Sequence, residues 1–317
     1  MKLVFCGTPQ FAVPTLERLI SAGHEIALVV TQPDRPQGRG LELAPPPVKQ
    51  CALKDSLPIA QPERIKNNAE FRELLEKIAA DAIIVVGYGR IIPPWMLALP
   101  RLGNINLHAS LLPKYRGAAP IQWAIAEGEK ITGVTTMLLN EGLDTGDILL
   151  RKDMPIASED TAVTVAPRLA AIGADLMVQT LDGLAAGTIF PKPQDHSRAT
   201  LAPILKREDG LIDFSRPAEV IVNRLRGFQP WPGAYTFFRG KKLAMFEASI
   251  AQESKVSPGT VDVKGGRMLV GCGQRTALEL LSIQLEGKKA TSGAEFVRGY
   301  RITSGEGLGQ EASKEVS

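Results

Sequence analysis

A run of five apolar residues, Ala82–Val86 (AIIVV), constrains the fold of this chain more than any other feature. No polar residue interrupts the run, so both faces of a strand formed here must be buried. An amphipathic pattern over residues 69–80 directly precedes it and predicts a helix. A strand with two buried faces that follows a helix is typical of the interior of a parallel sheet covered by helices on both sides.

Strand-like and helix-like patterns alternate through the first two hundred residues. The helical patterns cover residues 11–22, 69–80 and 162–184, and the strand-like runs cover residues 2–6, 25–30, 82–86, 104–108, 134–139 and 148–150. Gly23 follows the first helical pattern, at a position where helices commonly end. This β-α-β rhythm predicts an α/β domain built on a doubly wound, mostly parallel sheet.

The pattern changes near Lys206. Short strand-like runs, separated by turns rich in Gly, Pro and Lys, cover residues 234–238, 243–250, 259–263, 268–272 and 277–284. Such spacing predicts a small β-barrel, for which an OB-like fold is one option. We therefore predict a first domain over residues 1–189, a Pro-rich linker over 190–205, a barrel over 206–303 and a disordered tail over 304–317.

Charge is distributed unevenly along the chain. The net charge is +3, made up of −1 over residues 1–205, +6 over residues 206–301 and −2 over residues 302–317. A basic second domain beside a neutral first one indicates a polyanionic partner for the second domain. The alternative is that this excess is the ordinary charge of a soluble surface, and charge alone does not decide between the two.

The cysteines and the first residues of the chain bear on its compartment. The apolar start, residues 3–6, is too short for the apolar region of a signal peptide or for a membrane span. Cys6, Cys51 and Cys272 are odd in number and contain no CxxC pair, which is typical of reduced thiols rather than a disulfide framework. We predict a cytoplasmic protein.

Nucleotide and metal sites are not predicted. The segment 7–12 follows the first strand but lacks the GxGxxG spacing, the segment 38–40 lies in a loop, and no Walker lysine motif is present. His24 follows a helix end and His196 lies in the linker, so neither joins His108 in a metal-ligand pattern.

Three polar residues alternate at the end of a predicted strand. Asn106 and His108 point to the same face of a strand, and Ser110 follows just beyond its end. Ligands of open α/β sheets bind at the carboxyl ends of strands, and an amide beside an imidazole suits a developing oxyanion. A carboxylate to orient the imidazole is available from Asp144 in the next strand's turn, with Asp147 as the alternative. The competing interpretation is a buried core histidine beside an unrelated turn.

Longer motifs around these residues resemble a known family. The segments 106–113 and 115–123, and the segment from Gly133 through residues 143–146 (LDTG), resemble the folate-dependent formyltransferases. Within that superfamily the chain resembles the members that act on methionyl initiator tRNA, through residues 7–9, 32–40, 88–89, 230–233, 287–289 and 295–301. The resemblance covers about residues 2–301.

The resemblance implies a reaction and its participants. The formyl donor would be 10-formyltetrahydrofolate, the acceptor would be the α-amine of methionyl initiator tRNA, and no metal would take part. Asn106 and protonated His108 would stabilise the oxyanion, while Asp144 would keep His108 charged and relay the proton of the amine. The family's folate-contacting turn matches Ser110, Leu111, Leu112 and Pro113, with backbone around residues 86–92 lining the pterin pocket.

The resemblance also implies a tRNA-binding surface. The Pro/Gly-rich loop over residues 34–49 resembles the family's acceptor-stem loop, with Arg39 as its best-placed contact. Leu41 and Glu42 stand where many relatives carry lysine, which weakens the electrostatic grip of this loop. Further phosphate contacts are predicted at six basic residues, namely Lys206, Arg207, Lys241, Lys242, Lys288 and Lys289.

Two alternatives remain at this stage. A formyltransferase acting on a nucleotide-linked amino sugar or on glycinamide ribonucleotide would share the same catalytic residues and differ only in the barrel and the 34–49 loop. A non-catalytic RNA- or folate-binding module is the other class, and the presence of Asn106, His108 and Asp144 together argues against it. We predict a monomeric enzyme.

Overall fold

The computed structural model describes residues 1–37, 42–251 and 255–309, which form two compact units. The first unit comprises Met1–Pro120, Ile131–Pro155 and Val165–Pro203, and the second comprises Ile121–Lys130, Ile156–Thr164 and the described residues from Ile204 onward.

The described residues contain fifteen strands and eight α-helices. The strands are β1 Lys2–Gly7, β2 Glu25–Val30, β3 Arg35–Gln37, β4 Glu42–Ala44, β5 Ile59–Ala60, β6 Ala82–Val86, β7 Asn104–His108, β8 Ile131–Leu138, β9 Ile148–Pro155, β10 Ala234–Phe238, β11 Lys241–Ala251, β12 Val261–Lys264, β13 Arg267–Gly271, β14 Ala277–Leu285 and β15 Thr291–Ser292. The helices are α1 Val13–Ser21, α2 Pro47–Lys54, α3 Ala69–Ile78, α4 Pro94–Leu97, α5 Pro120–Ala126, α6 Ala162–Ala185, α7 Ala218–Gly227 and α8 Gly293–Tyr300.

A seven-stranded sheet in the order β5-β2-β1-β6-β7-β8-β9 forms the centre of the first unit. The strands from β5 to β7 are parallel, whereas β8 pairs with β7, and β9 with β8, in antiparallel fashion. The carboxyl ends of β1, β6 and β7 therefore meet at one edge of the sheet, where a ligand site is expected in such folds.

Helices cover both faces of this sheet. Val85 of β6 lies opposite Asn106 of β7, and Val85 packs in one cluster with Phe71 of α3. On the opposite face, a Cβ at Gly173 of α6 would lie 2.6 Å from the side chain of Leu107, so this helix packs closely against β7. The prediction of a doubly wound, mostly parallel sheet is confirmed, and the purely apolar β6 is buried along its whole length because both faces are covered.

The second unit is built on an antiparallel sheet in the order β10-β11-β14-β13-β12, with β15 added to β14. Its core combines alternate residues of these strands with α7 and α8, including Leu225, Leu243, Val270 and Phe296. The predicted small β-domain after the linker is thus present, and the strand limits agree with the predicted runs to within a few residues.

The segment after α8 corrects the predicted tail. Residues 304–309 lie between the two edge strands of the sheet, since Leu308 pairs with Phe238 at the end of β10 and Gly307 pairs with Thr260 at the start of β12. The Leu308 side chain is 7% exposed. The tail was predicted to be disordered from residue 304, but its first six residues close the gap between β10 and β12 and contribute to the core.

Two segments of the first two hundred residues also depart from the predicted boundaries. Residues 121–130 and 156–164 belong to the second unit because α7 holds both of them. A Cβ at Gly227 would lie 2.6 Å from the carbonyl oxygen of Gln122, and the guanidinium of Arg226 donates to the carbonyl oxygens of Ala157 (3.2 Å) and Asp160 (2.8 Å). The predicted linker is divided as well, since residues up to Pro203 belong to the first unit.

The three cysteines are buried and unpaired. Burial raises the pKa of the Cys51 thiol to about 11 and that of the Cys272 thiol to about 12, and it also raises the pKa of Cys6. Across the described part of the chain, no helix is both long and apolar enough to cross a membrane.

The closure of the second unit by residues 304–309 leads to a test by truncation. A chain that ends at Thr303 loses the burial of Leu308 and the ion pair of Glu306 with Arg239 (2.8 Å). We expect its free energy of unfolding to fall by roughly 1.5–3 kcal/mol, the value for burying one large aliphatic side chain, in urea denaturation followed by circular dichroism.

A chain that ends at Gly309 is the matched control, because it keeps each of these contacts. We expect it to unfold at the same urea concentration as the full chain. Equal stability of the two truncated chains would contradict the role given to residues 304–309.

Candidate active site

The C-terminal half of β7 presents Asn106 and His108 on the same face of the sheet, with Leu107 on the other. Both polar side chains are largely buried, at 8% and 6% exposure. Within the described residues, no hydrogen bond involves the side-chain amide of Asn106. A buried amide with no internal partner is available to a ligand.

The chain beyond β7 fixes the imidazole of His108. Its Nε2 donates a hydrogen bond to the carbonyl oxygen of Tyr115 (2.8 Å), which holds a proton on that nitrogen. Its Nδ1 lies 3.7 Å from Oδ2 of Asp144. A proton on Nδ1 would point toward this carboxylate, which as an ionised group only accepts hydrogen bonds.

Asp144 reaches His108 by a different route from the predicted one. We expected its carboxylate to come from the end of the neighbouring strand. However, β8 is antiparallel to β7 and pairs Leu138, its last residue, with Ile105. The end of β8 therefore lies beside the start of β7, and residues 139–147 turn back to bring Asp144 to the imidazole. Among the described residues, Asp147, the alternative, has no hydrogen bond or ion pair with His108; its carbonyl oxygen accepts from Leu138 N (2.9 Å).

Close contacts inside this connection set its path. A Cβ at Gly146 would lie 1.8 Å from the carbonyl oxygen of Leu138, so only glycine fits. The side chain of Asn140 accepts hydrogen bonds from Gly142 N (3.0 Å) and Thr145 Oγ1 (2.9 Å). Asp144 itself adopts a left-handed conformation, with φ 49°. Contacts within the turn therefore contribute to the position of the carboxylate.

The carboxylate of Asp144 has a second partner. The backbone N–H of Gly117 donates to its Oδ2 (2.8 Å), the same oxygen that faces His108. The side chain is 13% exposed. A largely buried carboxylate with one backbone donor retains lone pairs for an imidazolium or for a water molecule. The site thus combines one amide, one imidazole and one acid, an arrangement suited to stabilising an oxyanion and moving a proton.

The turn that follows β7 is rigid and mostly inward-facing. Ser110 Oγ donates to the carbonyl oxygen of Lys114 (2.7 Å), and Thr135 Oγ1 donates to the carbonyl oxygen of Ser110 (2.6 Å). Ser110 and Leu112 are fully buried, whereas Leu111 and Pro113 are partly exposed. Of the four predicted folate contacts, Leu111 and Pro113 are therefore the ones whose side chains have exposed surface.

The segment after β6 lies at the same edge of the sheet. Gly87 and Gly89 are exposed and adopt left-handed conformations, with φ 56° and 76°. Ile91 is 89% exposed. Accessible backbone beside an exposed apolar side chain suits a flat heterocycle with a polar edge.

The loop over residues 34–49 has an ordered base. Lys49 Nζ donates to both carboxylate oxygens of Asp34 (2.9 and 2.7 Å), and Gln61 Nε2 donates to one of them (2.8 Å). These bonds to Gln61 and Lys49 lower the pKa of Asp34 and keep it ionised at neutral pH. The paired strands β3 and β4 extend from this base. Arg39 and Leu41 lie outside the described residues.

Four of the predicted basic residues occupy one end of the second unit. Lys241 and Lys242 begin β11, whose start pairs with the end of β14, and Lys288 and Lys289 follow β14 directly. Glu286 N donates to the carbonyl oxygen of Lys242 (2.9 Å), which links the two segments. We call these four residues the lysine cluster. Lys206 and Arg207 are exposed but belong to a separate segment before α7.

The sequence analysis did not identify two residues that contact this site. Gln194 lies in the predicted linker, and its side chain contacts the turn that carries Asp144. Arg116 precedes Gly117 and contacts Gln194. Gln194 stands in no pattern that distinguishes it from a surface residue, whereas Arg116 lies in the family segment 115–123 but was given no role there. Among the described residues, no group of three or more His, Cys, Asp or Glu side chains is placed to hold a metal ion.

The fold and the site define a group-transfer enzyme, and comparison with known families identifies which one. A family described as "Formyl transferase" matches residues 1–181, and "Formyl transferase, C-terminal domain" matches residues 204–301. The chain therefore belongs to the formyl transferase family.

Its relatives include proteins of one name that match along the whole chain. It is 62% identical over 313 residues to the methionyl-tRNA formyltransferase of Koribacter versatilis, covering 99% of this chain and 100% of that protein. It is 61% identical over 310 residues to the methionyl-tRNA formyltransferase of Acidobacterium capsulatum, covering 98% of this chain and 100% of the relative.

Solved structures share the fold at low identity. WlaRD, a sugar 3N-formyl transferase crystallised in the presence of dTDP and 5-N-formyl-THF, superposes with a TM-score of 0.65 at 17% identity, over 91% of this chain and 99% of that one. HypX from Aquifex aeolicus, in complex with tetrahydrofolic acid, gives a TM-score of 0.61 at 17% identity; the match covers 94% of this chain and 47% of that longer chain.

The close approach at Gly146 leads to a stability test. In Gly146→Ala the new methyl group overlaps a backbone oxygen, so the turn that carries Asp144 must move. We expect the free energy of unfolding to fall by roughly 1–3 kcal/mol, the usual cost of overpacking, in urea denaturation.

Gly299→Ala in α8 serves as the matched control, since a Cβ there meets nothing within 4 Å. We expect this variant to be as stable as the unmodified protein or slightly more so. If both variants unfold at the same urea concentration, the approach of Gly146 to Leu138 is not a constraint on the turn.

Proposed function

We propose that this chain transfers the formyl group of 10-formyltetrahydrofolate to the α-amine of methionyl initiator tRNA. The observation that carries the proposal is the identity of 62% over 313 residues to a methionyl-tRNA formyltransferase, because it spans both units rather than the formyl-transfer domain alone. The proposed substrates are cytoplasmic, and a monomer in the cytoplasm is the predicted form.

The acceptor amine needs little activation. An α-amine titrates at about pH 7.7–8.0, so part of it is already neutral near pH 7. The demanding step is the negative charge that develops on the formyl oxygen when the amine attacks the formyl carbon. Catalysis therefore depends on donors aimed at that oxygen rather than on a strong base.

Asn106 and His108 are the proposed donors. The Asn106 amide has no hydrogen bond within the described residues. In His108, Nε2 donates to the carbonyl oxygen of Tyr115, so Nδ1 is the ring nitrogen that is proposed to donate to the oxyanion. Because both side chains leave the same face of β7, both are placed to donate to one developing oxyanion. Both are largely buried, which strengthens their interaction with a developing charge.

Asp144 is proposed to balance the imidazolium and to accept the proton that leaves the amine, directly or through water. At 3.7 Å from Nδ1 its carboxylate is in ion-pair range and slightly beyond a direct hydrogen bond. Catalytic contacts are often longer before substrate binds. Gly117 N–H keeps the carboxylate in place meanwhile.

The folate is proposed to bind between the turn after β7 and the segment after β6. Leu111 and Pro113 offer apolar surface on one side, and Ile91 offers it on the other, with exposed backbone at Gly87 and Gly89 for the polar edge of the pterin. When bound, the folate supplies the activated formyl group. The residues of this chain orient it beside Asn106 and His108.

The tRNA is proposed to contact the lysine cluster and the 34–49 loop. The loop begins at a fixed base, because Lys49 and Gln61 hold Asp34. Lys241, Lys288 and Lys289 are exposed, as phosphate contacts must be. Arg39, Lys206 and Arg207 remain proposed contacts as well.

Substrate identity is tested by supplying purified protein with 10-formyltetrahydrofolate and one of two acceptors. The first acceptor is methionine-charged initiator tRNA, and the second is a dTDP-linked amino sugar. We expect formyl-methionine after mild hydrolysis of the tRNA and no formylated sugar. Formylation of the sugar alone would overturn the proposal in favour of the alternative acceptor.

The proposed roles of Asn106 and Asp144 lead to a kinetic prediction. We expect Asn106→Ala and Asp144→Asn each to lower kcat by about 10²–10³-fold, the usual cost of losing an oxyanion donor or the group that maintains one. The KM for tRNA stays nearly constant because neither side chain belongs to the proposed tRNA surface. Single-turnover formylation measures the chemical step.

Thermal unfolding of the same variants is the control. Asn106 has no internal hydrogen bond to lose, and Asn at position 144 keeps an acceptor for Gly117 N–H. We therefore expect melting temperatures close to that of the unmodified protein. A fully active Asp144→Asn variant would remove this mechanism.

The lysine cluster leads to a salt-dependence prediction. We expect tRNA affinity to fall steeply with salt, and the slope of log Kd against log salt to decrease by about 1–2 in Lys288→Gln/Lys289→Gln, because each phosphate contact releases about one counterion. Lys54→Gln/Lys77→Gln, two exposed positions on α2 and α3, is the charge-matched control. An unchanged slope in the cluster variant would show that these lysines do not touch tRNA.

A further inference from the structure

Gln194 is a buried polar residue in an otherwise exposed stretch. It is 5% exposed, whereas residues 191–193 and 195–198 on either side of it are all exposed. Its Nε2 donates to the carbonyl oxygens of Asp144 (2.9 Å) and Gly146 (2.7 Å). The Gln194 side chain therefore binds the backbone of the turn at two points, Asp144 itself and Gly146 two residues later.

Arg116 binds the oxygen of the Gln194 side-chain amide. Its Nε and Nη2 donate to Oε1 of Gln194 (3.2 and 2.6 Å), and Nη2 also donates to Nδ1 of His196 (3.1 Å). Arg116 is 7% exposed, and among the described residues no carboxylate lies within ion-pair distance of its guanidinium. A buried cation that meets only neutral acceptors is unusual and indicates a specific role for those acceptors.

The neighbours of Arg116 hold the other catalytic contacts. The carbonyl of Tyr115 accepts from His108 Nε2, and the N–H of Gly117 donates to Asp144 Oδ2. The backbone of Arg116 pairs with the predicted linker, through its N–H to Thr200 O (2.9 Å) and its carbonyl from Ala202 N (2.7 Å). Hydrogen bonds of the consecutive residues 115–117 thus hold the His108 imidazole, the Asp144 carboxylate and the predicted linker.

We propose that Gln194, bound to Arg116, is a positioning residue for formyl transfer. Its amide N–H groups hold the turn that presents Asp144 to His108. Its oxygen accepts hydrogen bonds from the Arg116 guanidinium. Arg116 therefore does not form an ion pair with the Asp144 carboxylate, which would neutralise that carboxylate. This inference rests on the proposed function, because its readout is the formylation of methionyl-tRNA.

Two substitutions separate the functions of the amide. Gln194→Met keeps the length and apolar packing and removes every hydrogen bond. Gln194→Glu keeps an oxygen for Arg116 but loses both donors and places negative charge against two carbonyl oxygens. We expect kcat to fall by about 10²-fold in each, since a displacement of about 1 Å at a catalytic group has that effect. The KM values for tRNA and folate are expected to change less than threefold.

A double-mutant cycle with Asp144→Asn distinguishes positioning from a general loss of structure. If Gln194 acts through Asp144, the double variant Gln194→Met/Asp144→Asn has the same kcat as Asp144→Asn alone. If the two losses multiply, Gln194 acts independently of Asp144 and the proposal is overturned. Should Gln194→Met fail to fold, the cycle is made with Gln194→Glu.

Arg198→Gln is the control within the same stretch, because Arg198 is exposed and, among the described residues, its side chain forms no hydrogen bond with Gln194, Arg116 or the turn of Asp144. We expect it to keep full activity. Unchanged kcat in both Gln194 variants also overturns the inference. In either case the unmodified protein still formylates methionyl-tRNA. If the proposed function were wrong, the unmodified protein would not formylate methionyl-tRNA at all.

Discussion

The geometry of this site depends on one backbone contact, the approach of Gly146 to the carbonyl oxygen of Leu138. Because β8 is antiparallel to β7, the chain leaves β8 at the wrong end of the sheet for catalysis. It must return within nine residues, and a side chain at position 146 would block the return. Only then does Asp144 reach both His108 and Gly117 N–H. The ion pair at the centre of the proposed mechanism is thus a consequence of a steric requirement several residues away.

Local patterns predicted those parts of the fold that local physics determines. The apolar run of β6 requires two covered faces, and the two-residue period of β7 places Asn106 beside His108. The direction of β8 was not predictable in this way, since parallel and antiparallel edge strands share the same alternation. The closure by residues 304–309 was missed for a related reason: Gly, Ser and Glu are typical of disordered tails, and only pairing with distant edge strands orders them.

Gln194 illustrates a different limit. A glutamine between Pro193 and Asp195 reads as an exposed linker residue, and its burial arises from contacts with residues 48 and 50 positions away along the chain. The family motifs pointed to Asn106, His108 and Asp144, the side chains that are proposed to face the reacting atoms. The supporting residues face away from them, and their importance becomes visible only when the donors and acceptors around the turn are counted.

The two proposed substrate-binding surfaces differ in kind. In the turn after β7, the Ser110 hydroxyl and the Leu112 N–H both form internal hydrogen bonds, so the shape of this turn is preorganised. The lysine cluster has the opposite character, since Lys241, Lys288 and Lys289 are exposed on flexible stems, while Lys242 is half-buried with its Nζ 4.2 Å from the centre of the Tyr235 ring. Chemistry requires atomic placement, whereas a long polyanion is held by the sum of many weak contacts. If the proposed tRNA contacts are shared among many cations, Leu41 and Glu42 are tolerable in the loop, whereas a single methyl group at Gly146 is not tolerable in the turn of Asp144.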